Sequence, residues 1–134
     1  MTGEEIDLSE LDCKIFVDGA PDVSELNVWL ADLVGGEITD GSVQADGIEM
    51  IVAENDEADE RAKTEPRRGF LFFDHLVEVY FAASAAHDRR VLEVSRSLEY
   101  LWGRGLPAVA ACDYEDELPR GAGVAGSAPW PTAG

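Results

Sequence analysis

Hydrophobic and polar residues alternate in four short stretches of the chain. Three of them are CKIFVDG (13–19), DGIEMIVAEN (46–55) and FLFFDHLVEVYFA (70–82), and the fourth is the small apolar run PAVAAC (107–112). An alternation of period two predicts a strand with one buried face, and a short apolar run bounded by turn residues suits a strand as well. We therefore expect four strands.

Two longer stretches place apolar residues at helical spacing. In the first, residues 21–36, Asp22 and Glu25 have the spacing of a capping box, and two glycines follow the last apolar residue. In the second, residues 87–105, an apolar stripe ends at glycines that precede Pro107. These signals predict two amphipathic helices with defined ends.

The order of these elements, β-α-β-β-α-β, is the split βαβ arrangement. We therefore expect an α+β fold, a ferredoxin-like two-layer sandwich in which two helices cover one face of a four-stranded antiparallel sheet of order 4-1-3-2. The domain is expected to span residues 12–120, between an acidic arm at 1–11 and a disordered Gly/Ala/Pro tail at 121–134. Residues 37–46 leave open whether a further strand is present.

Negative charge is concentrated in the first half of the chain. The net charge is −18, and residues 1–60 carry −17 of it, with 18 acidic residues against Lys14 as the single basic one. Such a field repels nucleic acid and anionic lipid and attracts cationic partners, although it also serves solubility. We expect no nucleic-acid or membrane partner. The acidic start and the lack of a long apolar segment predict a cytoplasmic protein.

Two groups of carboxylates lie at opposite ends of the predicted sheet. The first group follows the second strand and the second follows the last strand: Glu54, Asp56, Glu57 and Asp59, and then Asp113, Glu115, Asp116 and Glu117. Each group is either a docking surface for a basic partner or a solvated loop. The topology also predicts that Glu10 and Asp12 approach the second group. That group lacks the glycine turn and regular spacing of an EF-hand loop, so we expect no metal.

The sheet face opposite the helices is predicted to be open. Phe72, Leu76 and Tyr80 lie there among acidic residues. An exposed patch of this composition indicates association with a partner or with a second copy of the chain. The alternative is that residues 37–46, or the tail with Trp130, fold over this face.

The chain contains no recognisable catalytic motif or cofactor motif. Patterns such as GxSxG, a P-loop, HExxH or paired cysteines are absent from the sequence. His75 is predicted on the core face, and Cys13 and Cys112 are too far apart in sequence for a disulfide framework, so we expect reduced, structural thiols. We expect no enzyme and no cofactor. The alternative is a divalent-metal-dependent enzyme that uses the second group of carboxylates.

Two segments resemble small stand-alone bacterial proteins of the split βαβ pattern, some of them considered of immunity type. These segments are GFLFFDHLVEVYF (69–81) and VSRSLEYLWGRGLPAVAACDYEDELP (94–119), and the similarity covers about residues 12–120. Immunity proteins bind and block a toxin, so the resemblance implies an acidic inhibitory surface for a basic protein partner. We therefore expect a protein-binding or inhibitory domain. The alternative is a homodimeric regulatory or structural domain joined through the open face.

Overall fold

A computed structural model of the chain describes residues 11–124 and 126–132. The described part contains six strands and two α-helices. In chain order they are β1 (Cys13–Val17), α1 (Val23–Val34), β2 (Glu37–Thr39), β3 (Ser42–Ala45), β4 (Ile48–Glu54), β5 (His75–Phe81), α2 (His87–Gly103) and β6 (Ala108–Cys112). Short 3-10 helices lie at Ala62–Thr64, Gly69–Phe72, Glu115–Glu117 and Pro119–Ala122.

All six strands form one open antiparallel sheet of order β2-β3-β4-β5-β1-β6. The α+β class is confirmed, but the predicted four-stranded ferredoxin-like sheet is wrong. Residues 37–46 add the hairpin β2–β3, because Asp40 and Gly41 adopt left-handed backbone angles (φ 53° and 79°) that close a two-residue turn. The four strands expected from alternation still pair among themselves in the predicted order, β4-β5-β1-β6.

The capping residues and glycines predicted from the sequence lie at the ends of the two helices. The Asp22 side chain accepts a hydrogen bond from the backbone N–H of Glu25 at 2.8 Å and so satisfies a free donor of the first turn of α1. Gly35 ends α1 in the left-handed conformation (φ 68°), and Gly105 (φ 80°) follows the end of α2. Glycine adopts these angles without the steric penalty that other residues incur.

The main hydrophobic core lies between the two helices and one face of the sheet. Leu26 and Leu30 of α1 and Leu98 and Leu101 of α2 are almost fully buried there. The sheet contributes every second residue of its central strands: Cys13, Ile15, Val17, Ile48, Met50, Val52, Val77, Val79 and Phe81. Burial of one such aliphatic side chain contributes about 1.5–3 kcal/mol, so this shared core holds both helices on the same face, as predicted.

The opposite face carries a second, smaller cluster built on Phe16, Phe73 and Val109. The strand predicted over 70–82 begins only at His75, because the preceding residues, Gly69–Phe72, form a 3-10 helix. A Cβ at position 69 would lie 2.3 Å from the backbone oxygen of Lys63, so this helix packs closely on the preceding loop. Phe72 therefore lies in this 3-10 helix and not in β5, and the strand alternation does not determine which way its side chain faces.

No helix in residues 11–124 and 126–132 combines the length and the apolar composition needed to cross a membrane. The longer helix, α2, has 17 residues and carries charged side chains along its length.

Candidate functional site

The connection between β4 and β5, residues 55–74, is held in place by the buried side chain of Asn55. Its amide nitrogen donates to the backbone oxygens of Leu71 and Phe73, at 2.9 and 2.8 Å, and its oxygen accepts from the N–H of Glu57 at 3.0 Å. One side chain thus ties the beginning of the loop to its end. The acidic segment that follows β4 is therefore anchored to the sheet.

A buried lysine fastens the middle of the same loop to the end of β1. The Nζ atom of Lys63 lies 3.1 Å from Asp18, 3.0 Å from Glu60 and 3.6 Å from Asp74. Burial raises the pKa of Asp18, and the hydrogen bonds from Lys63 and from the N–H of Asp74 only partly offset it. Burial lowers the pKa of Lys63, but its hydrogen bonds to Glu60 and Asp18 and the charges of Asp18 and Asp74 together raise it above its ordinary value. Asp18 is thus part of this internal ion cluster.

Three of the four carboxylates predicted in the first group form an exposed surface, here called the loop cluster: Glu54, Asp56 and Glu57. Among the described residues, none of the three has a cationic side chain within 4.0 Å. Asp59 has a local structural role, since it accepts hydrogen bonds from the N–H groups of Arg61 and Ala62, which lower its pKa. The loop cluster is therefore an anionic surface that has no counter-ion in the part of the chain that the structure describes.

A depression of about 310 Å³ adjoins the loop cluster at the end of the sheet. Asp22, Glu54 and Asp74 line it together with His75, which is 7% exposed. The Nδ1 atom of His75 has no hydrogen-bond partner within residues 11–124 and 126–132. Three carboxylates around one depression favour a cationic hydrogen-bond donor such as a guanidinium or ammonium group.

The second group of carboxylates lies beside Asp12, as the topology predicts. Asp12 accepts a bond from the Tyr114 hydroxyl, and its other oxygen lies 2.6 Å from Nη1 of Arg90. Burial raises the pKa of Tyr114, and the bond to Asp12 adds to that effect. Glu10 lies outside the described residues. Asp12 is therefore neutralised within the fold and is not part of a set of unpaired carboxylates.

Two members of this C-terminal cluster (Asp113, Glu115, Asp116 and Glu117) also have internal partners. Glu117 lies 2.8 Å from Nε2 of His87, and Glu115 accepts the backbone N–H of Cys112 at 2.9 Å. The other two carboxylates are exposed. In residues 11–124 and 126–132, no group of three His, Cys, Asp or Glu side chains is arranged to hold a metal ion.

The three residues predicted on the open face lie in different environments. Phe72 is half-buried in the 3-10 helix, Leu76 is half-buried beside the second cluster, and Tyr80 is 7% exposed, with its hydroxyl 3.2 Å from Glu78. Burial raises the pKa of Tyr80. These residues do not form one exposed apolar patch.

Trp130 covers part of the open face, which is the alternative considered for the tail. Its ring meets that of Phe73 edge-on at 5.3 Å, and its indole N–H donates to the backbone oxygen of Thr64 at 3.2 Å. The ring of Phe70 lies 5.3 Å from that of Phe16 on the same face. The aromatic residues of this face are therefore in contact with the tail and the loop.

Asn55 and Lys63 are the residues that sequence reasoning missed. Asn55 has a recognisable signal, because asparagine directly after a strand often bonds the backbone two residues later, as it does here with Glu57. Lys63 has no such signal, because its partner Asp18 is distant in sequence and only the folded chain joins them.

Comparisons of the chain with protein-family models, with curated proteins and with solved structures found no match. Inferences about its function therefore rest on the geometry and charge of the described surfaces.

Proposed function

We propose that this chain is an acidic, cytoplasmic protein-binding domain that engages a basic protein through the loop cluster, in the manner of an immunity protein that blocks a toxin. The observation that carries the proposal is that Glu54 at the end of β4, and Asp56 and Glu57 on the anchored loop after it, are exposed without cationic neighbours in the described part of the chain. An anchored loop loses little conformational freedom on binding. Its carboxylates therefore act as a preorganised anionic surface.

The C-terminal cluster is less suited to this role. Glu117 already has His87 as a partner, and Glu115 is engaged by the backbone of Cys112. A basic partner would have to compete with these contacts, whereas within residues 11–124 and 126–132 the carboxylates of the loop cluster have no salt-bridge partner. The net charge of −18 attracts a basic partner over distance, and local pairing at the loop cluster then determines the orientation of binding.

The acidic depression beside the loop cluster gives the interaction a defined centre. An arginine or lysine of the partner that enters it meets the carboxylate of Glu54. The carboxylates of Asp22, which caps α1, and of Asp74, 3.6 Å from Lys63, line the same depression and add to its negative charge. Hydrogen bonds between charged groups are about twice as strong as those between neutral groups. A buried cation at the centre of the interface, surrounded by weaker contacts, is the usual arrangement of a binding hot spot.

The alternative of a homodimer joined through the open face has less support. Trp130 and the 3-10 helix Gly69–Phe72 already contact the aromatic residues that such an interface would use. A dimer would first have to displace them.

Titration calorimetry against the purified products of neighbouring genes tests the proposal. We expect one basic product to bind, with an affinity that falls as salt is raised. The variant Asp56→Asn/Glu57→Gln should weaken binding by about 10-fold or more, which is about 1.4 kcal/mol. The matched control Asp113→Asn/Asp116→Asn removes the same charge from the other exposed carboxylates and should change it by less than about 3-fold. Equal losses in the two variants, or binding insensitive to salt, would contradict the proposal.

A further inference from the structure

The two cysteines of the chain lie directly opposite each other on neighbouring strands. Cys13 of β1 is paired with Cys112 of β6. In the same ladder, the N–H of Asp18 donates to the oxygen of Pro107 at 2.9 Å. Hydrogen-bonded and non-hydrogen-bonded pairs alternate along antiparallel strands, so the two cysteines form a non-hydrogen-bonded pair. The N–H of Cys112 accordingly donates to Glu115, at 2.9 Å.

This type of pair brings the two thiols within bonding reach. Opposite Cα atoms in a non-hydrogen-bonded pair are about 4.5 Å apart, and disulfides span Cα distances of about 4.4–6.8 Å. The thiols of Cys13 and Cys112, both free, already hydrogen-bond each other. A disulfide can therefore form without separating β1 from β6. Because the span lies at the short end of the allowed range, the bond would be strained and readily reduced.

The two thiols differ in reactivity. Cys112 is partly exposed on an edge strand, whereas Cys13 is 1% exposed. The hydrogen bond from Cys13 lowers the pKa of Cys112, with a further contribution from the N–H of Tyr114 and against the effect of burial. The hydrogen bond with Cys112 and burial both raise the pKa of Cys13. Cys112 is thus the attacking thiolate, and Cys13 is the second thiol that completes the reaction.

We propose that Cys13 and Cys112 form a reversible redox site whose substrate is a small-molecule disulfide, RSSR. The Cys112 thiolate attacks one sulfur of RSSR, a mixed disulfide forms, and RS⁻ leaves and takes up the proton that Cys112 released. Cys13 then loses its proton and attacks the Sγ of Cys112, which forms the Cys13–Cys112 bond and expels the second RS⁻ as RSH. The two protein thiols are oxidised, and RSSR is reduced to two RSH.

Formation of this bond would link β1 to β6 at the end of the sheet that carries the C-terminal cluster. Asp12 precedes Cys13 and Asp113 follows Cys112, so the oxidised chain has this end covalently closed. Because Cys13 and Cys112 are 99 residues apart in the sequence, the bond closes a long loop in the unfolded chain, and the oxidised form should melt at a higher temperature. This inference does not depend on the proposed binding function.

The test uses the full chain equilibrated in glutathione buffers of graded oxidised-to-reduced ratio and quenched with acid. The protein is then unfolded in denaturant, alkylated with N-ethylmaleimide at neutral pH and weighed intact. We expect two adducts under reducing conditions and none under oxidising conditions, with a mass lower by two hydrogen atoms. Reduced glutathione should reverse the change. When the reduced, folded protein is treated directly with N-ethylmaleimide, Cys112 should be alkylated about 10-fold faster than Cys13.

Two variants identify the roles of the thiols. Cys13→Ala should stop at a mixed disulfide between Cys112 and glutathione, and Cys112→Ala should leave Cys13 without glutathione. If circular dichroism shows that either variant is unfolded, the proposal is judged from the masses of the parent protein alone. Two alkylatable thiols at the most oxidising ratio would overturn the proposal. So would a cross-link between chains, or a mixed disulfide as the final product of the parent.

Discussion

The loop that carries the candidate site depends on Lys63, and the variant Lys63→Met tests this directly. The substitution keeps an unbranched side chain one atom shorter and removes the charge, which leaves the carboxylate of Asp18, a residue 6% exposed, without its cation. Removal of one partner from a buried ion pair costs about 3–5 kcal/mol. Asp18 keeps the N–H of Asp74 at 3.0 Å, and Glu60 is free to return to water. We therefore expect the low end, about 3 kcal/mol at neutral pH.

The cost should depend on pH in a defined direction. Burial holds the pKa of Asp18 above its ordinary 3.8 even with Lys63 present, and loss of Lys63 removes an influence that lowers it. A carboxyl with a raised pKa in the folded state binds its proton more tightly when folded, so its protonation stabilises the fold. The penalty is full above the folded pKa and disappears as pH falls towards 3.8. The loss in Lys63→Met should therefore be smaller at about pH 5 than at about pH 8.

Urea unfolding followed by tryptophan fluorescence measures both effects. Lys14→Met is the control, because Lys14 is half-exposed and forms no salt bridge within residues 11–124 and 126–132. It should cost less than about 0.5 kcal/mol. Adding Asp18→Asn to Lys63→Met should restore part of the loss, since no buried charge remains. If Lys63→Met is as stable as the control, or if its cost increases as pH falls, the ion cluster does not fasten the loop as described.

Three further changes test the packing of other parts of the fold by urea or thermal unfolding. Trp130→Ala should cost about 2 kcal/mol, below the range for a fully buried aromatic residue because the indole is half-buried; an unchanged midpoint would show that it does not cover the open face. Gly123→Ala should lower the melting temperature, because its Cβ would lie 2.0 Å from a backbone oxygen, while Gly103→Ala, with open space around it, should not. Arg90→Met should cost about 2 kcal/mol, because half-buried Asp12 loses its cation and keeps only the hydroxyl of Tyr114. A loss below about 1 kcal/mol would argue against that ion pair.

The periodicity of the chain predicted most of the fold. Four strands, two helices and the order of the four strands followed from alternation, capping and crossover rules. The sequence did not decide whether the hairpin β2–β3 forms, because all three residues of β2 are exposed and no alternation between buried and exposed positions marks this strand. The Asp40-Gly41 pair was the available signal, since Asp-Gly is typical of two-residue hairpin turns.

The site could be predicted only in part, because its defining contacts join distant segments. The carboxylates of the loop cluster are visible in the sequence, but their anchoring by Asn55 and Lys63 depends on the folded loop. Similarly, Cys13 and Cys112 are far apart in the chain and become neighbours through strand register. Aromatic alternation before His75 predicted a strand, yet close packing at Gly69 favours a 3-10 helix there.

A nuclear magnetic resonance titration with a short arginine peptide tests the central claim most directly, since it needs no knowledge of the natural partner. Backbone amide signals of the ¹⁵N-labelled full chain would be followed at low salt and again at high salt. We expect the largest shifts around the acidic depression, at Ala20, Asp22 and residues 54–58 and 74–75. The shifts should be smaller in Asp56→Asn/Glu57→Gln, which removes two charges beside the depression and keeps the three carboxylates that line it. Equal shifts at residues 113–117, or a pattern unchanged by the substitutions, would show that the loop cluster is not the binding surface.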